Sequence, residues 1–243
     1  PYELALSSKL YDVVSKHKID VLHVHYAIPH AYAAYMAKKI LDENGYKIPI
    51  ITTLHGTDIT LVGNHPFYKP AVTFSINKSD IVTCVSNSLR DDTREFFGIK
   101  RDIEVIPNFI DIDKYANKHH LCERNMIAQG DEKIIVHISN FRPLKRIIDV
   151  LKIFEKISQK INSKLIMVGD GPDKKKAKDF LRKNDLKNKV VFLGKTNEID
   201  EILCSSDLFL LPSEKESFGL AALEAMALKV PVISSNVGGL KEL

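Results

Sequence analysis

Short runs of aliphatic and β-branched residues recur along the chain, separated by longer stretches of helical period. The runs are DVLHVHY, IPIITTLH, DIVTCVS, IEVIPNF, KIIVHIS, KLIMVGD, KVVFLG, LFLLPS and VPVISS. Most are apolar at consecutive positions rather than alternate ones. That pattern suits parallel strands covered by helices on both faces. Between them, HAYAAYMAKKILDENG, NSLRDDTREFFG and LKRIIDVLKIFEKISQKI read as helices, the first two stopping at Gly45 and Gly98 as helix C-termini do. The alternation predicts an α/β doubly wound architecture.

The rhythm fails once, between Pro107 and Lys133, where NFIDIDKYANKHHLCERNMIAQGDE has no clear period. Nine strands would be many for one open sheet. The expectation is two Rossmann-like domains, residues 1–112 and 133–243, joined by a linker at 113–132. The chain opens on the helical YELALSSKLYDVVSKHK and stops just after a Gly-Gly turn, GGLKEL. Both domains are therefore expected to be incomplete at the outer end, as the middle of a longer protein.

Composition narrows the classes of function. The 243 residues can bury a substantial core. The net charge of +4 is mild, and its densest cluster, KKKAKDFLRK, reads as a solvated helix face. Nucleic acid is not an expected partner. No apolar run approaches the ~20 residues of a membrane span, and no signal peptide is visible, so a cytoplasmic protein without membrane insertion is expected. Cys84, Cys122 and Cys204 lie far apart without metal or redox spacing, and are expected to be buried, reduced thiols.

In doubly wound proteins, ligands bind at the carboxyl ends of the strands. After LFLLPS comes EKESFG and then LAALEAMAL, an apolar helical run with one charge, Glu224. A face burying Leu220, Leu223 and Ala227 would put Glu224 at or beside the buried side, where an ionised carboxylate costs several kcal/mol unless satisfied. It is either an edge residue or a ligand for hydroxyl groups. Gly219 and Leu220 fall at the helix N-terminus, a seat for phosphate, with Glu216 in the loop before. After KIIVHIS, the turn SNFRPLKR places Asn140, Arg142, Lys145 and Arg146 at the start of a helix, where cations oppose the macrodipole unless an anion is bound. Gly169 and Gly171 of KLIMVGDGP fit a nucleotide-facing turn or an ordinary strand-to-helix turn. In the first domain, His25, Tyr26 and His30 follow one strand and Thr53, His55 and Asp58 the next, collecting polar groups on one rim.

ESFGLAALE matches the E-x7-E motif of retaining nucleotide-sugar glycosyltransferases of family 4, and the chain resembles that family over essentially its whole length. The resemblance implies the two-domain GT-B architecture. VHYAIPHA, TTLHGTDIT and SNFRPLKR are similar to members that move N-acetylglucosamine from UDP-N-acetylglucosamine to the hydroxyl of L-malate, the first step of bacillithiol biosynthesis. A lipid-linked or saccharide acceptor and an inactive nucleotide-sugar-binding fragment are the alternatives. By resemblance, Glu216 contacts the donor sugar, Glu224 the ribose, and the amides of Phe218, Gly219 and Leu220 the diphosphate. Lys145 binds phosphate, His55 lies beside the donor sugar, and Tyr26, Thr53 and Arg142 form the malate set. The implied chemistry is front-face substitution by Lys145, Arg142, His55 and Glu216, with no cofactor and no metal. Homo-oligomerisation is left open. Many relatives carry an arginine five residues before the phosphate lysine, where this chain has Asn140. The family's N-terminal glycine-rich loop and closing C-terminal helix are also absent from this sequence.

Overall fold

A computed structural model describes residues 1–61, 63, 65–116, 122 and 124–243. The chain forms two compact units, Pro1–Asn108 and Phe109–Lys241. All nine apolar runs form strands, and each unit holds one wholly parallel sheet.

In the first unit β1 (Leu22–His25), β2 (Ile50–Leu54), β3 (Ile81–Cys84) and β4 (Glu104–Val105) lie side by side in sequence order. Helices α1 (Tyr2–His17), α2 (Tyr32–Glu43), α3 (Lys69–Lys78) and α4 (Asn87–Phe97) connect or flank them. Ala33, Ala34 and Ala37 form the buried side of α2, and their small side chains allow close approach to neighbouring elements. Ser86 caps α4, accepting from the Leu89 amide at 3.1 Å, and Gly98 closes the helix in the left-handed conformation. The PFYKPAVTF segment forms the start of α3, with Phe67 87% exposed just ahead of it.

In the second unit the order is β7-β6-β5-β8-β9, formed by β5 (Lys133–Ile138), β6 (Ser163–Val168), β7 (Val190–Gly194), β8 (Leu208–Leu211) and β9 (Val232–Ser234). The order reverses at β5, the switch point at which doubly wound sheets place ligands. Strand residues divide by parity, as the two-residue period of a strand requires. Ile134, Val136, Ile166, Val168, Phe209 and Leu211 enter one core, and Ile135, Leu165, Met167 and Leu210 the other. The first core is closed by α9 (Ile199–Cys204) and α10 (Leu220–Ala227), the second by α7 (Ile147–Ser158) and α8 (Lys174–Lys183). Each fully buried aliphatic or aromatic side chain contributes about 1.5–3 kcal/mol.

Three expectations are corrected. Segment 113–132 is not a bare linker: α5 (Ile112–Ala116) and α6 (Arg124–Ile127) lie on or beside it. Tyr115, Ile127 and Ala128 pack into the second unit's core. Arg124 donates to the carbonyls of Ser205 and Glu132 and to Asp207, each at 2.8 Å. Residues 117–121 and 123 of the expected linker lie outside the described residues.

The cysteines are not three free thiols. Cys122 and Cys204 form a disulfide with their Cα atoms 5.6 Å apart, across a separation of 82 residues that sequence spacing could not reveal. Cys84 alone is free and buried, its thiol pushed up to about 11 mainly by burial. Finally, α10 buries Ala222 and Ala225, not the leucine face, and Leu220 is exposed. Ala222 and Ala225 join the core with Phe209 and Leu211, and Glu224 beside them is half-buried.

Candidate active site

The second unit gathers its polar groups at the carboxyl ends of β5 and β8. Beyond β8, Ser213 and Glu216 occupy the loop into α10, whose N-cap is Gly219. Beyond β5 the chain turns through Phe141, makes a short 3-10 turn at Pro143–Lys145, and enters α7 from Arg146 in the left-handed conformation. The cations therefore precede α7 rather than sit in its first turn. Each goes a different way. Arg146 pairs outward with Asp149, Arg142 is exposed, and Lys145 turns inward to donate to Glu216. The Ser213 hydroxyl donates to the same Glu216 oxygen at 2.9 Å. Lys145 and Glu216 are both largely withdrawn from solvent, with side-chain exposures of 17% and 10%.

Backbone contacts lock these loops together. The Glu214 amide donates to the Leu144 carbonyl at 2.7 Å, and the Gly239 amide to the Glu216 carbonyl at 2.9 Å. A Cβ on Gly238 would lie 1.9 Å from the Glu216 carbonyl oxygen, so the Gly-Gly turn is a support for the Glu216 loop. Likewise a Cβ on Gly169 would lie 1.8 Å from the Ser139 carbonyl oxygen. That glycine serves packing between two turns, the bland alternative for the GDG sequence.

No side chain caps α10, so the first-turn amides behind Gly219 are orphan donors of the kind that bind phosphate. Phe218 is buried at the start of this turn. One turn further, Glu224 hydrogen-bonds the Tyr115 hydroxyl, and burial with the nearby Asp200 charge raises its carboxyl above the usual range. Tyr115 lies in the segment without a period, where nothing in the sequence could have paired it with Glu224.

Beneath these loops sits His137 on β5, fully buried. Its Nδ1 lies 2.8 Å from the Leu210 carbonyl, which can only accept, so Nδ1 carries the proton. Nε2 is then a bare acceptor for the Ser139 hydroxyl at 2.8 Å, whose oxygen accepts from the Phe141 amide at 3.3 Å. This chain fixes the turn that leads to Arg142 and Lys145. Burial, with help from the Lys145 charge, drives the imidazole down to about 4.

In the first unit, His25 and His55 meet at the ends of β1 and β2, Nδ1 to Nε2 at 2.7 Å. Tyr26 lies beside them, its ring 5.1 Å from that of His55. Its φ of 76° is strained for an aromatic residue, and is held by the Tyr26 amide donating to the Thr53 carbonyl at 2.9 Å. His30 Nδ1 lies 2.5 Å from the His25 carbonyl. Asp58, only 2% exposed, accepts from the amides of Ala27 at 2.8 Å and Gly56 at 3.0 Å, stapling the two loops. Thr53 sits lower, 9% exposed, its hydroxyl already between His23 Nε2 at 2.8 Å and Thr83 at 2.7 Å. His23 is invisible to motif reading because its partners lie on neighbouring strands. Among the described residues no cluster of three His, Cys, Asp or Glu could hold a metal, and no helix is long and apolar enough to cross a membrane.

Two parallel α/β sheets, with an E-x7-E segment at the switch point of the second, define a glycosyltransferase of the GT-B kind. The family model Glycosyltransferase Family 4 matches residues 1–114, and Glycosyl transferases group 1 matches residues 123–243. The chain belongs to this family. It is 46% identical, over its whole length, to the N-acetyl-alpha-D-glucosaminyl L-malate synthase of Bacillus anthracis, of which it spans 63%. It is 30% identical over 93% of its length to an uncharacterized glycosyltransferase of Methanocaldococcus jannaschii, spanning 60% of it. It thus covers about three-fifths of these relatives. Among solved structures, Anabaena HepE in complex with UDP and glucose superposes with a TM-score of 0.84 at 21% identity, over 97% of this chain and 64% of that one. Sucrose-phosphate synthase from Thermosynechococcus elongatus gives 0.78 at 19% identity, over 97% and 61%.

Proposed function

We propose that this chain belongs to a retaining enzyme that transfers N-acetylglucosamine from UDP-N-acetylglucosamine to the hydroxyl of L-malate, in bacillithiol biosynthesis. The observation that carries the donor half is the pairing of Lys145 with Glu216 of the loop that leads into the uncapped start of α10. Lys145 and the orphan amides of Gly219 and Leu220 provide positive charge for a diphosphate, and Glu216 accepts from sugar hydroxyls. Without ligand, Lys145 and Glu216 satisfy one another. Donor binding would share Lys145 with phosphate and free an oxygen of Glu216 for the sugar. Glu224, one turn away with Tyr115 as its partner, accepts from the ribose hydroxyls.

In front-face substitution the departing diphosphate oxygen takes the acceptor proton. Charge grows on that diphosphate, and Lys145, Arg142 and the α10 amides stabilise it. These protein donors do the work a divalent ion does elsewhere, so no metal is required. In the first unit Tyr26, beside His55 at the ends of β1 and β2, offers its hydroxyl to malate; in the second, the Arg142 guanidinium suits a carboxylate. Thr53 contributes by holding the sheet end through its His23 and Thr83 bonds.

The likeness to the malate synthase supports the acceptor. A saccharide or lipid-linked acceptor is the second reading, favoured by the exposed Phe67 and Tyr68. An acceptor screen on the full-length protein, following UDP release, separates them. UDP release dependent on L-malate is expected, and release dependent only on sugars or lipid-linked sugars overturns the assignment.

A further inference from the structure

We infer that His25 and His55 work as a single protonatable pair that binds one carboxylate of the acceptor, with His25 a specificity-determining residue. This rests on the dicarboxylate reading above. An anionic acceptor needs a cation, yet the turns after β1 and β2, residues 26–31 and 55–61, contain no Lys or Arg. Among the described side chains of these two turns, the imidazoles are the groups that can carry positive charge.

The geometry sets how many protons they hold. With Nδ1 of His25 2.7 Å from Nε2 of His55, one proton must lie between the rings, since two lone pairs or two N–H groups at that distance repel. A neutral pair then has one further proton, which leaves one of its two outer nitrogens bare. Protonating that nitrogen gives a monocation with an outward N–H on each ring, His25 Nε2 and His55 Nδ1. The ring centroids are 5.0 Å apart along the shared bond, so these outer N–H groups point away from one another, and one of them, carrying the pair's charge, donates to a carboxylate oxygen. A second charge is disfavoured because each ring would then need a proton at the shared position.

The surroundings keep the unliganded pair neutral. Burial comes first, and then the neighbouring imidazoles, in holding both rings below the ordinary histidine range. His23 stacks on His25 at 4.9 Å, and Tyr26 and His30 flank the pair. Asp58 already accepts from backbone amides. Tyr2 of α1 reaches His30 edge-on. On α2 and α3, Lys38 pairs with Asp80, Lys39 lies near Asp42 and the Tyr35 ring, and Lys69 and Lys78 lie over Phe97 and Phe74. The charge therefore arrives with the ligand: acceptor binding takes up a proton.

The test uses full-length protein. L-malate is titrated calorimetrically near pH 7.5 in buffers of different ionisation enthalpy, and malate KM is followed from pH 8 to 6 by UDP release. Net proton uptake is expected, with KM falling about three- to tenfold over that range. His25→Gln should abolish uptake, raise malate KM and flatten its dependence on pH. Malate turnover without proton uptake in the wild-type protein, or uptake that persists in His25→Gln, overturns the pair. Turnover of another acceptor but not malate overturns the acceptor assignment, and the pair with it.

Discussion

Replacing His137 by Gln tests whether the second unit depends on a neutral imidazole under its active-site turn. The native ring titrates at about 4 against ~6.5 when unfolded. A depressed histidine contributes stability that is complete above the unfolded value and is lost as pH falls toward the folded one. The gap of roughly 2.5 pH units, at about 1.36 kcal/mol each, makes the full term about 3 kcal/mol. At pH 5 roughly 2 kcal/mol of it is already gone, because the unfolded chain gains a proton that the folded chain refuses. Urea unfolding followed by far-ultraviolet circular dichroism at pH 8, 7, 6 and 5, with both proteins in parallel, cancels the carboxylates common to both. The wild-type advantage over His137→Gln should shrink by about 2 kcal/mol between pH 8 and 5. An advantage constant to within about 0.5 kcal/mol would refute the buried neutral ring, and with it the proton order from Leu210 through Ser139 to Phe141.

The active-site residues give further expectations for the full-length enzyme. Glu224→Gln should weaken donor binding by about 1.5–3 kcal/mol through loss of a charge-assisted bond, with the fold intact by circular dichroism; unchanged donor affinity would make Glu224 a structural partner of Tyr115 only. Lys145→Ala should lower kcat more than it raises donor KM, because the charge it meets grows in the transition state; a pure KM effect would demote it to ground-state binding. Arg142→Ala should raise malate KM at least about tenfold, and Arg142→Lys should recover only part, since a point charge cannot replace the fork. A larger effect on donor than on acceptor would reassign Arg142 to the diphosphate, in the role of the arginine absent at Asn140.

The sheets were legible because each strand is apolar on both faces, as in Ile134, Ile135 and Val136, which feed two different cores. Order within a sheet was not, because pairing such as β5 with β8 joins residues more than seventy positions apart. The E-x7-E segment could be found locally, since loop, N-terminus and helix are contiguous in sequence. Its partners could not. Ser213 sits three residues from Glu216 without any spacing signal, and Tyr115 reaches Glu224 from a stretch that shows no period. Hydrophobicity alone points to a leucine face on α10, because it ranks leucine above alanine, whereas the helix buries Ala222 and Ala225. The motif puts Thr53 on the rim with its neighbours, but its register opposite His25 and Thr83 sets its hydroxyl inside the sheet network.

The proposed transfer is tested most directly by its product. Full-length protein incubated with UDP-N-acetylglucosamine and L-malate, with a chelator present, should yield an N-acetylglucosaminyl malate. Its anomeric proton in nuclear magnetic resonance should show the small coupling of an α-glycoside formed with retention. A β-glycoside, no malate adduct, or a reaction abolished by the chelator and restored by a divalent metal would contradict it.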